Sequence, residues 1–432
     1  MTALSTRPPA RSDGPARLRV INAMRRLGWG VADQGISSLS NFALGIFVAR
    51  SFGASNFGAF ALAFITYTVV INAARGLATD PLLVRYSGDP SQRWRRATSS
   101  ATGTALVVGV ASGALCVGAG LLLPHPVGTI FIALGFGLPG LTLQDSWRFA
   151  FFACGRGLSA FVNDLFWTLL LVATLFVLDR QGGGSEVGCM LAFGATATVA
   201  ALFGAFQARV LPRPTSVGRW LRKQHDLSFR YLVENVSISG AAQVRSFVLG
   251  AVASLAAVGY VRASEILMGP FLVVLMGISQ VAVPEASRVF HRDASRLHRF
   301  CFLLGGAQAA AAIMWGLILL TVFPFGPGPA LLNELWTPAL QLIPAITLTV
   351  AVTSFTTAAT AGLRAMGLAR RSLRAQLTAS ALYLVGGTVG AILGGAIGTS
   401  WGVTAAQSVA AVVWWRQLRS ALSEHANSAV AR

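Results

Sequence analysis

Stretches of about 20 predominantly apolar residues recur along this chain, separated by short arginine-bearing segments, and no other feature restricts its folding as much. Hydrocarbon offers no partner to a free backbone amide, so a segment crossing a bilayer core of about 30 Å closes its own hydrogen bonds as a helix of roughly 20 residues. Twelve runs fit that length, near 28–50, 57–75, 98–123, 127–150, 158–178, 187–208, 231–253, 257–283, 300–323, 338–361, 376–398 and 400–416. They predict an all-α polytopic membrane protein of about twelve transmembrane helices. Only 11% of the 432 residues are charged, against about a quarter in soluble domains. That composition excludes a water-soluble enzyme.

The placement of charge predicts orientation. With the amino terminus taken as cytoplasmic, 30 of the 34 Lys and Arg residues fall in inner segments, and only Arg50, Arg180 and Arg262 fall in outer ones. Cytoplasmic loops of membrane proteins collect basic residues, so both termini are expected inside. Anionic lipid headgroups then account for the net charge of +19 without nucleic acid. Residues 1–27 read as a disordered basic cytoplasmic tail. The outer connections are short turns, such as Gly182-Gly183-Gly184-Ser185 and Phe325-Gly326-Pro327-Gly328-Pro329, and leave no extramembrane domain for catalysis. Cys116, Cys154, Cys189 and Cys301 stand apart inside apolar runs and read as small buried hydrophobes. No disulfide framework, metal site or cofactor is expected.

The chain also repeats itself. At an offset of 205, Leu44-Gly45 meets Leu249-Gly250, and Gln34, Ser38 and Asn41 meet Ser239, Gln243 and Ser246. At 201 Gly58 meets Gly259, and at 203 Pro81 meets Pro284 and Arg85 meets Arg288. Two parallel, pseudo-symmetric six-helix lobes follow, 28–210 and 231–416, joined by a cytoplasmic linker 211–230 and followed by a cytoplasmic tail 417–432.

The first helix of each half is unusually polar. Spacings of four and three place Gln34, Ser38 and Asn41 on one helical face, and Ser239, Gln243 and Ser246 do likewise. Paired polar stripes at membrane depth are expected either to flank a wet cavity between the lobes or to bond neighbouring helices. Arg245 lies well inside a helix and needs a partner or a substrate. Glu265, three residues after Arg262, has the spacing of an ion pair, as do Asp145 and Arg148. Arg50 and Arg75 read as helix-end side chains reaching for the interface. Guanidinium groups with little compensating acid in a wet cleft suit a phosphate, which makes Arg245, Arg262 and Arg148 candidate substrate-binding residues beside the two polar trios. Asp164, Glu234, Asp145 and Glu265 are candidates for coupling to protons or sodium. Gly137-Leu138-Pro139-Gly140, Gly269-Pro270 and Pro344 are expected points of bending.

The opening run from Gly30 to Phe42, followed by Ala49-Arg50-Ser51-Phe52-Gly53-Ala54-Ser55-Asn56-Phe57-Gly58, resembles the first hairpin of polysaccharide-transporter flippases. These belong to the multidrug, oligosaccharidyl-lipid and polysaccharide exporter superfamily. The stretch from Gln144-Asp145-Ser146-Trp147-Arg148-Phe149 through Cys154-Gly155-Arg156-Gly157 to Asn163-Asp164 is similar to the segment joining helices 4 and 5 of such proteins. The resemblance implies a V-shaped pair of lobes rocking between inward-open and outward-open states. The cargo it implies is a polyprenyl-pyrophosphate-linked oligosaccharide for cell-surface polysaccharide, with glycosyltransferases and a polymerase of the same pathway as partners. Lipid II flippases of the superfamily have about fourteen helices and arginines in the first two, whereas here the first helix offers Asp33 and Gln34. A cation-coupled drug exporter of the same superfamily would expect acid in the cavity. A membrane glycosyltransferase or polymerase would need larger outer loops, and Asp179, Glu186 and Glu334 form no D-x-D pair.

Overall fold

The computed structural model describes residues 16–87, 92–181 and 184–430, which are helical almost throughout. Among them the long helices are α1 (Ala16–Ser51), α2 (Ala54–Tyr86), α3 (Gln92–Leu122), α4 (Val127–Ala153), α5 (Gly157–Arg180) and α6 (Glu186–Ala208). After them come α7 (Val217–Val252), α8 in two segments (Leu255–Leu267 and Gly269–Arg292), α9 (Leu297–Thr321) and α10 (Trp336–Ala365). The last run, Ala369–Val430, folds back at Gly394 and Gly395 into α11 (369–393) and α12 (396–430). Gly395 takes φ 54 and ψ −130, a conformation in which a Cβ would clash with the backbone.

Among the described residues, eight segments are long and apolar enough to cross a membrane by length and hydropathy alone, and one of them, Arg371–Asn427, spans the fold-back between α11 and α12. The helices that fall short are α1, α7 and α8. The first two carry the polar stripes, and α8 is divided at Met268, beside the expected bend at Gly269-Pro270. Pro139 and Pro344 instead lie inside uninterrupted helices.

The expected tails and linker are shorter in the structure. Helix α1 begins at Ala16, α7 begins at Val217 inside the expected linker, and α12 runs on to Val430. Residues 1–15 and Gly182-Gly183 lie outside the described residues.

The two halves pack alike. In the first, α4 lies between α3 and α6; in the second, α10 lies between α9 and α12. Small residues set these approaches, because helices in lipid gain little from apolar contact and much from close van der Waals packing. A methyl group at Gly113 would sit 2.5 Å from the Gly135 carbonyl oxygen, and one at Gly194 would sit 2.4 Å from the Gly137 Cα. In the second half, methyl groups at Gly390 and Gly398 would each lie 2.1 Å from the other residue's carbonyl oxygen.

The halves meet through α1, α2, α7 and α8. The tightest crossing is between the repeat-related residues Gly58 and Gly259, one turn into α2 and α8. A Cβ at Gly58 would lie 1.8 Å from the Leu255 carbonyl oxygen, and one at Gly259 would lie 2.5 Å from that of Ala54.

Gly390→Leu should therefore separate α11 from α12 and destabilise the protein by more than the ~1–3 kcal/mol typical of an overfilled core. Thermal unfolding of the detergent-purified variant checks this, and an unchanged midpoint would show that the hairpin does not need the close approach.

Candidate functional site

The buried charge of the first half converges on α4, whose sequence Gln144-Asp145-Ser146-Trp147-Arg148 points in three directions. Arg148 Nε donates to Asp33 Oδ2 on α1 and lies 3.5 Å from Asp164 Oδ2 on α5, while its Nη2 donates to Gln34 Oε1 at 3.2 Å. The side chains of Arg148, Asp33 and Asp164 are 8%, 0% and 2% exposed, so the guanidinium bridges two carboxylates away from water. Gln144 Nε2 donates to Asp164 Oδ1 at 2.8 Å and to Asn163 Oδ1 at 3.3 Å, and Asn163 Nδ2 donates to the Ala200 carbonyl at 3.0 Å. The second carboxylate oxygen of Asp33 is buried with no hydrogen-bond partner.

Asp145 and Arg148 do not pair with each other, despite their spacing. Asp145 accepts two bonds from Arg75 on α2, from Nε at 2.9 Å and Nη2 at 2.6 Å. Residues three apart on a helix can pair, but here each charge meets a partner on another helix. Arg75 is accordingly no helix-end side chain. It opens a π-helical turn, Arg75–Thr79, in the middle of α2, and wider turns of this kind release backbone carbonyls from the usual ladder. The Leu77 carbonyl accepts from Trp220 Nε1 and Ser228 Oγ of α7, each at 3.1 Å, and Asn235 Nδ2 of α7 donates to Asp80 Oδ2 at 2.8 Å. That turn bolts the amino-terminal part of α7 to the first half.

The second half holds a smaller cluster. Arg245 on α7 donates from Nη2 to Glu265 Oε1 at 3.1 Å, and Arg262 Nη1 lies 3.4 Å from Glu265 Oε2. Arg245 also faces the Tyr383 ring at 5.4 Å, and its aliphatic stem fits against Gly387, where a Cβ would lie 2.8 Å away. Arg262 faces the Phe64 ring of α2 at 5.0 Å, a contact between the halves. Glu234 pairs with Arg364 of α10 at 3.3 Å, on an open part of the surface.

The expectation of guanidinium groups with little compensating acid is thus corrected. Arg148, Arg245 and Arg262 each meet a carboxylate, because a charge withdrawn from water without one is too costly to keep. The first half's cluster pairs Asp33, Asp145 and Asp164 with Arg75 and Arg148, leaving acid in excess. The second pairs Arg245 and Arg262 with Glu265, leaving base in excess.

The polar trios lie half-buried or buried. Gln34 donates to Ser38 Oγ at 3.2 Å, and Gln243 donates to Thr66 Oγ1 of α2 at 2.6 Å. Ser239 and Ser246 bond carbonyls of their own helix, and Asn41 Oδ1 is buried with no partner. Asp33, Arg75, Gln144 and Asn163 join the cluster although the sequence reading did not place them in a site, Arg75 having read as a helix-end side chain. A buried Asp on the first helix was the available signal for Asp33. Arg75 carried none, because its partner is 70 residues away. Among the described residues no group of His, Cys, Asp and Glu is arranged to hold a metal.

No protein-family model and no curated protein matches the chain. Among solved structures, an inward-facing multidrug resistance MATE family transporter of the MOP superfamily aligns over 90% of this chain and 95% of its own, with TM-score 0.73 and 16% identity. The chain has the fold of such transporters. The lipid II flippase MurJ, in an inward closed conformation, aligns over 90% of this chain and 87% of its own, with TM-score 0.67 and 12% identity. An outward-facing MATE family transporter covers 93% of this chain and 96% of its own but reaches TM-score 0.56, at 16% identity. Of these three, the two inward conformations give the higher TM-scores.

Arg148→Ala would leave Asp33 and Asp164 facing each other without compensation, at a cost of about 3–5 kcal/mol. The double variant Arg148→Ala/Asp33→Asn should recover part of that loss. Thermal unfolding of the purified variants checks both, and a wild-type midpoint for Arg148→Ala would dissolve the bridge.

Proposed function

We propose that this protein is a flippase of the bacterial inner membrane, with both termini cytoplasmic. It carries a polyprenyl-pyrophosphate-linked oligosaccharide for cell-surface polysaccharide by alternating access. One observation carries the reading of the cargo: the second half's cluster sets two guanidinium groups, Arg245 and Arg262, against a single carboxylate, Glu265. A surplus cation at membrane depth is costly unless something anionic visits it, and the guanidinium fork matches phosphate oxygens. The Gln34, Ser38, Asn41 and Ser239, Gln243, Ser246 trios supply the hydrogen bonds that a sugar requires, and Arg148 holds the first trio's Gln34 in place.

The acidic surplus of the first half's buried cluster is the matching device for energy coupling. With Asp145 tied to Arg75, Asp33 and Asp164 compete for one guanidinium, and an arriving cation relieves that competition. A second reading draws on the same surplus: a cation-coupled exporter of small molecules, whose cargo would be cationic.

Deleting the gene and extracting polyprenyl-linked glycans tests the first reading, which expects them stranded on the cytoplasmic leaflet. A normal glycan distribution together with heightened sensitivity to cationic drugs would establish the exporter instead. Arg245→Ala should fail to restore export in the deletion strain at normal membrane abundance, and undiminished export would remove Arg245 from the site.

Asp164→Asn should abolish dependence of transport on a proton or sodium gradient. Glu234→Gln should preserve it, because Glu234 is spoken for by Arg364. Vesicle uptake with and without imposed gradients distinguishes these outcomes, and unaltered dependence in Asp164→Asn would place coupling elsewhere.

A further inference from the structure

Three adjoining cavities open on one edge of the first half, at the ends of α3 and α6 and along the segment that leads into α7. The first, about 530 Å³, is lined by Arg95, Arg96, Arg209 and Arg213 with Ser99 and Leu211. The second, about 470 Å³, shares Arg95 and Arg209 and adds Arg156. The third, about 520 Å³, shares Arg96 and adds Arg219 and Lys223. No carboxylate lines any of the three among the described residues.

The backbone beneath these charges is fixed before anything binds. Arg213 N donates to the Ser99 carbonyl at 2.8 Å, Ser99 Oγ donates to the Leu211 carbonyl at 2.6 Å, and Arg95 Nη2 donates to the Arg209 carbonyl. Gly103 lets the segment lie directly on α3, since a Cβ there would be 2.3 Å from the Arg213 carbonyl oxygen. Cationic side chains on an ordered support lose less freedom when they meet an anion than those on a loose loop. The outer rim is apolar: Leu211 is 77% and Phe206 79% exposed, and Leu202, one turn along α6 from Phe206, is also exposed.

We propose that this edge is a binding site for the phosphate of an anionic phospholipid, with its acyl chains lying along Leu202, Phe206 and Leu211. The apolar rim is what selects a lipid over a free anion of the same charge. Because the segment 209–216 connects the two halves, and α7 beyond it is bonded to α2 through Trp220 and Ser228, a lipid seated here braces the joint between the lobes. The proposal is independent of the cargo.

The test is native mass spectrometry of the full chain released from mixed phosphatidylglycerol and phosphatidylcholine nanodiscs. Wild type should retain phosphatidylglycerol in preference. Removing three basic groups at a membrane surface costs about fivefold in affinity each, so Arg96→Gln/Arg209→Gln/Arg213→Gln should weaken retention about a hundredfold. Arg292→Gln/Arg296→Gln/Arg299→Gln, in the second half, should leave it unchanged. Equal losses in both triple variants would reduce the effect to general surface charge and overturn the site. Should the first triple variant fold poorly, Arg96→Gln/Arg213→Gln should still lose about 25-fold. In detergent, phosphatidylglycerol should raise the melting temperature where inorganic phosphate does not. Equal stabilisation by inorganic phosphate would replace the lipid by a free anion and overturn the proposal.

Discussion

A guanidinium caught between two carboxylates on different helices, away from water, organises the first half of this protein. Arg148 on α4 meets Asp33 on α1 and Asp164 on α5, and its neighbour Asp145 meets Arg75 on α2. One short segment of α4 thereby ties together four helices that the sequence spreads over more than a hundred residues. In an apolar slab each member depends on the rest, because removing one charge leaves its partner exposed to the full cost of desolvation.

Close backbone contact does the complementary work. Where no charge is present, glycine brings helices together, at Gly113 with Gly135, at Gly137 with Gly194 and at Gly390 with Gly398. The same device joins the lobes at Gly58 and Gly259, residues related by the internal repeat. Side chains add to this joint, with Arg262 facing the Phe64 ring and Gln243 donating to Thr66 Oγ1. The firmer attachment lies elsewhere, where the π-helical turn of α2 offers carbonyls to α7.

The halves share packing but not charge. Gln34 of the first trio is held by Arg148, whereas its counterpart Ser239 turns back to its own helix. The repeat therefore supplies a common scaffold, and the few ionisable residues that break its symmetry give the two ion-pair clusters opposite surplus charge. On the proposed function, that asymmetry is what would separate an anionic cargo from a cationic driving ion.

Much of the fold was legible in the chain, because apolar length, loop charge and repeat spacing are local properties, and hydrocarbon imposes one solution on each run of sufficient length. The pairing of Glu265 with Arg262 was legible for the same reason, lying within one helical turn. The network was not. Asp145 and Arg148 looked like partners by spacing, and Arg75 looked like a helix end, because sequence measures separation along one helix while desolvated charges choose the best geometry among all. Sequence alone determined which segments form long helices and which residues inside them would need partners. Only the packing of α1, α2, α4 and α5 decided who those partners are, since the energy that selects them acts across space and depends on which side chains the assembled lobe withdraws from water.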